Sequence, residues 1–91
     1  MKLVINRCHG GFGLSEEAQQ ELGIEESDQW EVDRKDPRLV SVVERLSDKA
    51  DGRYAKLLVV EIPDDMPFYI DDWDGFETVH EKHRVFPPLN S

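Results

Sequence analysis

The chain has 91 residues, of which 20 are acidic and 11 basic, for a net charge of −9 with histidine neutral. That length suits one domain spanning residues 1–91, because so short a chain cannot divide its core, and the charge repels phosphate backbones, which argues against direct binding of nucleic acid. Cys8 is the only cysteine, which excludes an intrachain disulfide and a multi-cysteine zinc site and favours a reducing compartment.

The apolar opening Leu3-Val4-Ile5 is interrupted by Asn6 and Arg7, too soon for a signal segment or a membrane span. The reading is therefore a cytoplasmic protein with no membrane partner. As a β-branched run the same residues suit a buried strand within Lys2 to Cys8. His9-Gly10-Gly11-Phe12-Gly13-Leu14 then forms a glycine loop, and Ser15 is placed to cap a helix that opens with Glu16 and Glu17 and ends near Leu22, before Gly23. Ile24 to Lys35 reads as polar and irregular, with Trp30 and Val32 alternating as a short edge strand. Asp36-Pro37 is a second helix start, followed by Leu39, Val42 or Val43, Leu46 and Ala50 at helical spacing, and Asp51-Gly52 marks the stop. Ala55 to Ile62 contains four consecutive apolar residues and reads as the central strand of the sheet, closed by Pro63.

Phe68-Tyr69-Ile70 is a third extended segment, and Asp71-Asp72-Trp73-Asp74-Gly75 carries an Asp-Gly turn signal leading into Phe76 to Phe86. A hairpin is the simplest geometry, although Glu77 to His83 also suits a helical turn. Pro87-Pro88 ends regular structure, leaving residues 87–91 as a frayed tail. The expected fold is α+β, a small mixed sheet of three or four strands packed on one face by two helices. A core this small gains from a partner subunit, so a homo-oligomer is compatible with it.

Two regions are candidates for chemistry. The first is Asn6, Cys8, His9, Gly10, Gly11, Phe12, Gly13 and Ser15, where a glycine loop meets a helix N-terminus and backbone N–H groups could converge on a phosphate or carboxylate. It lacks the lysine of a P-loop and the spacing of a dinucleotide fingerprint, and Glu16 and Glu17 oppose an anion. A tight turn that needs glycine for geometry alone is the plainer explanation. Cys8 and His9 are neighbours on an extended segment, so their side chains point apart and do not activate one another.

The second region is His80, Lys82, His83 and Arg84, the densest mix of basic and titratable groups. With Glu77 and Glu81 its two histidines could ligate a metal on a helical turn, but on a strand they diverge, and no second ligand pair stands at standard spacing. The acids Asp64, Asp65, Asp71, Asp72 and Asp74 lack the glutamate that closes a calcium loop and suit turns. No metal, cofactor or catalytic residue is therefore assigned. Trp30, Tyr69 and Trp73 sit beside polar residues, as partner-anchoring aromatics do.

Leu3 to Ser15, Val60-Glu61-Ile62-Pro63-Asp64-Asp65, and Asp74-Gly75-Phe76-Glu77 through His80-Glu81-Lys82-His83-Arg84 resemble a family of small uncharacterised bacteriophage and prophage proteins. The resemblance covers about half of the chain, and implies an accessory phage role in the host cytoplasm without supplying a mechanism. The leading expectation is a non-enzymatic module that binds a host protein through an acidic, aromatic surface. Mimicry of a phosphate backbone is a minor variant, since the acids are interleaved with apolar positions. The alternative is a binder of a small anionic ligand, phosphate-bearing or nucleotide-like, held between the glycine loop and His80 to Arg84. An enzyme using Cys8 or His9 ranks last.

Overall fold

A computed structural model describes residues 1–65, 67–81 and 85–86. Two helices and two small antiparallel sheets make an α+β fold, as expected, though without the mixed pairing of a single sheet. Strand β1 (Lys2–Asn6) is followed by helix α1 (Glu16–Leu22), a 3₁₀ segment (Glu26–Glu31), helix α2 (Pro37–Leu46) and a second 3₁₀ turn (Ser47–Ala50). Strands β2 (Leu57–Glu61), β3 (Tyr69–Trp73), β4 (Phe76–His80) and β5 (Val85–Phe86) complete the order. Among the described residues no helix is long and apolar enough to cross a membrane.

Strand β1 is the wall between two cores. Successive side chains of a strand face opposite ways. Val4 therefore joins Leu14, Ala18, Leu39, Val42 and Val43 under the helices, while Leu3 and Ile5 join Val60, Ile62 and Val79 on the hairpin side. Leu3, Val4 and Ile5 have no exposed surface, which explains their unbroken apolar run.

β2 pairs antiparallel with β1, Val4 opposite Val59, and among the described residues it has no other strand neighbour. The expected central strand is thus an edge. Its apolar run has a different cause: Leu57 and Val59 pack toward the helices, Val60 toward the other core. Continuous hydrophobicity reports burial of both faces, not position in the ladder.

Both helix starts follow local chemistry. Ser15 Oγ accepts the Ala18 N–H at 3.1 Å, and Gly23, at φ 70°, closes α1 with its N–H directed to carbonyls of the last turn. Asp36 Oδ1 accepts the Arg38 N–H at 2.8 Å beside Pro37. α2 stops at Leu46, and the final stretch to buried Ala50 tightens into a 3₁₀ turn.

The expected strand at Trp30 and Val32 is instead the 3₁₀ segment Glu26–Glu31, which begins with the Asp28 N–H on the Glu25 carbonyl at 2.9 Å. Side chains three apart eclipse in such a turn. Gln29 is buried and Val32 packs against the helical core, while Trp30 points outward. The two-residue alternation that suggested a strand is coincident with this geometry.

β3 and β4 form the hairpin, with Trp73 opposite Phe76. Asp74 and Gly75 both take positive φ, 54° and 86°, as a type I′ turn requires, so the turn is shorter than Asp71–Gly75 and β3 runs on to Trp73. Glu77 to His80 is strand, not helical turn. The expected tail at 87–91 lies outside the described residues.

Candidate functional site

The glycine loop is where three backbone segments meet. A Cβ on Gly10 would run into the backbone and Cβ of Tyr54. On Gly52 it would fall 2.6 Å from the carbonyl carbon of Gly13, and on Gly75 it would fall 2.6 Å from the nitrogen of Gly11. Glycine is thus required by close packing at Gly10, Gly52 and Gly75, and by a φ of 95° at Gly11. The Gly52 N–H donates to the Gly13 carbonyl at 2.9 Å and ties two of these segments together.

Asn6 is the buried knot below the loop. Its Nδ2 donates to the carbonyls of Cys8 and Gly75, both at 2.6 Å, and its Oδ1 accepts the Lys56 N–H at 2.8 Å. These bonds also end β1 short of Cys8. Its own N–H donates to Glu77 Oε1 at 2.8 Å. One carboxamide therefore fixes the loop, the start of β2 and the hairpin turn relative to one another.

Glu77 faces Arg34 in a two-pronged ion pair, Nη1 to Oε1 at 2.6 Å and Nη2 to Oε2 at 3.0 Å. The guanidinium lies 3.7 Å from the centre of the Phe12 ring and also donates to the Val4 carbonyl at 3.3 Å. The Val4 N–H in turn donates to the Arg34 carbonyl at 2.9 Å. β1 thereby has its second edge closed by one residue and one carboxylate rather than by a strand. Arg7 donates to the Glu77 carbonyl at 3.0 Å and covers the Phe76 ring at 4.1 Å.

The remaining expected site residues divide into two places. His9 is exposed, stacked on Phe76 at 5.2 Å and edge-on to Trp73 at 5.7 Å, with Nδ1 3.9 Å from Asp74. Cys8 is half-buried, its carbonyl accepting the Gly11 N–H at 3.2 Å. Ser15 Oγ, besides capping α1, donates to the Lys49 carbonyl at 2.6 Å. His80 lies five residues along the strand from Gly75, roughly 16 Å away at 3.3 Å per residue. There it stacks on Tyr69 at 5.3 Å and bonds Thr78 at 2.8 Å. The glycine loop and His80 are not brought together, and Lys82, His83 and Arg84 lie outside the described residues. Among the described residues no three His, Cys, Asp or Glu side chains converge as a metal site would need.

A cleft of about 520 Å³ opens over this junction, lined by Gly10 to Leu14, Gly52, Arg53 and Tyr54, by Glu26, Gln29, Trp30 and Arg34, and by Asp72 and Glu77 of the hairpin. Its volume suits a ligand or a partner's side chain. Little in it favours an anion. The Gly11 N–H is directed to Cys8 and the Leu14 N–H to Gln29 Oε1 at 2.8 Å, while Arg34 is held by Glu77.

The rim carries large aromatic side chains of a kind more often withdrawn from solvent. Among the described residues the exposed large apolar side chains are Trp30, Tyr54, Leu58, Tyr69 and Trp73. Trp30 and Tyr54, 65% and 66% exposed, line the cleft, and Trp73, 73% exposed, packs on His9 of the loop. Trp30 and Trp73 stand out in the sequence, and Glu77 does so only as a possible metal ligand beside His80, whereas Arg34 and Tyr54 carry no sign of their place here. Arg34 and Glu77 are 43 positions apart, and ordinary polar residues give no local sign of burial.

No protein-family model, curated protein or solved structure matches the chain.

Proposed function

We propose that this is a phage-type accessory protein that acts by binding a host protein through the aromatic rim of the glycine-loop cleft. The observation that carries this reading is the gathering of Trp30, Tyr54 and Trp73, each more than three-fifths exposed, around one hydrogen-bonded junction. Exposed aromatics cost free energy in water and return it when a partner covers them, which is why Trp and Tyr dominate binding hot spots. The junction beneath fixes the loop, the 3₁₀ segment and the hairpin through Asn6, Gln29 and the Arg34–Glu77 pair, so little ordering is needed on binding.

Affinity capture from a bacterial host lysate tests it, with the wild-type chain and the Trp30→Ala/Tyr54→Ala double variant as baits. A specific partner held by the wild type and weakened about 30-fold in the variant is expected, as for loss of a hot-spot aromatic worth about 2 kcal/mol. Recovery of no specific partner, or equal recovery by both baits, would overturn it. The rival reading, a small anionic ligand held between the glycine loop and His80 to Arg84, has titration with inorganic phosphate as its direct test.

A further inference from the structure

A second cleft, of about 650 Å³, runs from Leu14 past the start of α1 and shares Leu14, Glu26 and Arg53 with the first. The two adjoin at those residues, and the groove they make together is aromatic at the Trp30 and Tyr54 end and acidic at the other. Once Arg34 and Glu77 neutralise each other, the remaining charged residues of the lining, among the described residues, are Glu16, Glu25, Glu26 and Asp72 against Arg53. None of those four carboxylates is in an ion pair among the described residues.

We infer that the groove takes an extended, basic segment of the partner protein, one apolar side chain seated between Trp30 and Tyr54 and its lysines or arginines laid along Glu16, Glu25 and Glu26. This rests on the proposed partner-binding reading and specifies the partner's chemistry. Charge complementarity selects the occupant: an acidic or phosphorylated segment would meet like charge along most of the groove, whereas a basic one gains attraction that also speeds encounter. The aromatic end supports the same choice, because Trp and Tyr faces attract cations as well as apolar groups.

The test is an NMR titration of the ¹⁵N-labelled full chain with an acetylated, amidated peptide of alternating lysine and alanine bearing one central phenylalanine. Its glutamate-for-lysine counterpart is the control probe. The lysine peptide is expected to bind, to shift the amides of Glu16 and Glu26 and the Trp30 indole, and to weaken as salt rises. Glu16→Gln/Glu26→Gln should lower its affinity about fivefold and flatten the salt dependence, as loss of rim charges does, while Leu58→Ala, outside the groove, should leave both unchanged. Absence of binding, equal binding of the glutamate peptide, an unchanged Glu16→Gln/Glu26→Gln variant, or shifts confined to residues outside the groove would each overturn the inference. A captured partner that is released by Trp30→Ala/Tyr54→Ala yet held by Glu16→Gln/Glu26→Gln would sink the basic-segment inference alone. A partner indifferent to Trp30 and Tyr54 would sink the partner-binding reading as well.

Discussion

The Asn6–Arg34–Glu77 junction and the Trp30–Tyr54–Trp73 rim invert the usual distribution of side chains in opposite senses. Polar groups are buried in the first, with Asn6 fully and Glu77 almost fully withdrawn from solvent, and large apolar groups are left out in the second. The difference lies in what satisfies them. The junction's buried groups find partners inside the chain, and among the described residues no buried side-chain nitrogen or oxygen lacks one. The rim's aromatic faces are left largely to solvent, which costs the free protein apolar exposure and keeps binding surface available. The junction is thus an element of stability, the rim an element of recognition, and substitutions should separate them.

The largest effect is expected from Glu77→Ala, which leaves the Arg34 guanidinium and the Asn6 N–H without their carboxylate. Removing one partner of a buried ion pair costs about 3–5 kcal/mol, so urea unfolding should show most of a small domain's stability gone. A loss below about 1 kcal/mol, the level of a surface pair, would show that the junction is not an element of stability. Gly75→Ala comes next. It would place a Cβ at positive φ and against the Gly11 backbone, for an expected loss of about 2 kcal/mol in the same assay, and an unchanged midpoint would show that the hairpin turn does not need its close approach to the loop.

A smaller effect concerns acid stability at Asp36, which lies in neither region. The Arg38 backbone N–H and then its side chain hold the Asp36 carboxyl below the ordinary carboxylate range. Its folded pKa is depressed, so its contribution is present above the unfolded value and is lost as pH falls through the folded one. Asp36→Asn keeps an acceptor at the cap, so thermal unfolding should be little changed at neutral pH and lose less on acidification than the wild type. A parallel acid limb would rule out Asp36 as a contributor. The smallest stability change is expected for Trp30→Ala and Trp73→Ala, within about 0.5 kcal/mol of wild type, as for exposed side chains generally. A larger loss from either would place that ring among the fold's supports and weaken its claim to be a partner anchor.

These two regions also differ in how far sequence reading reaches them. The loop glycines were visible as a motif, yet the geometry they serve involves Tyr54, Gly52 and Gly75, up to 64 positions away. The 3₁₀ segment Glu26–Glu31 shows in the sequence only as irregular chain with a short strand at Trp30 and Val32, because its buried residue, Gln29, is polar and leaves no hydrophobic period to detect. Arg34 followed it as one more polar residue.

The sequence by itself determined what depends on neighbours a few residues apart. Ser15 before α1, Gly23 after it, Asp36-Pro37 at the start of α2 and Asp74-Gly75 in the hairpin act through their own backbone angles and nearest N–H groups, and each acts at the position its chemistry indicates. The apolar run in β1 likewise announced a buried strand. Only the tertiary structure decided that the strands divide into two antiparallel sheets, that Arg34 and Glu77 close the second edge of β1, and that Trp30, Tyr54 and Trp73 surround one loop. Those outcomes depend on packing two cores against opposite faces of a single strand, a constraint felt between residues tens of positions apart and not expressed in any short stretch of chain.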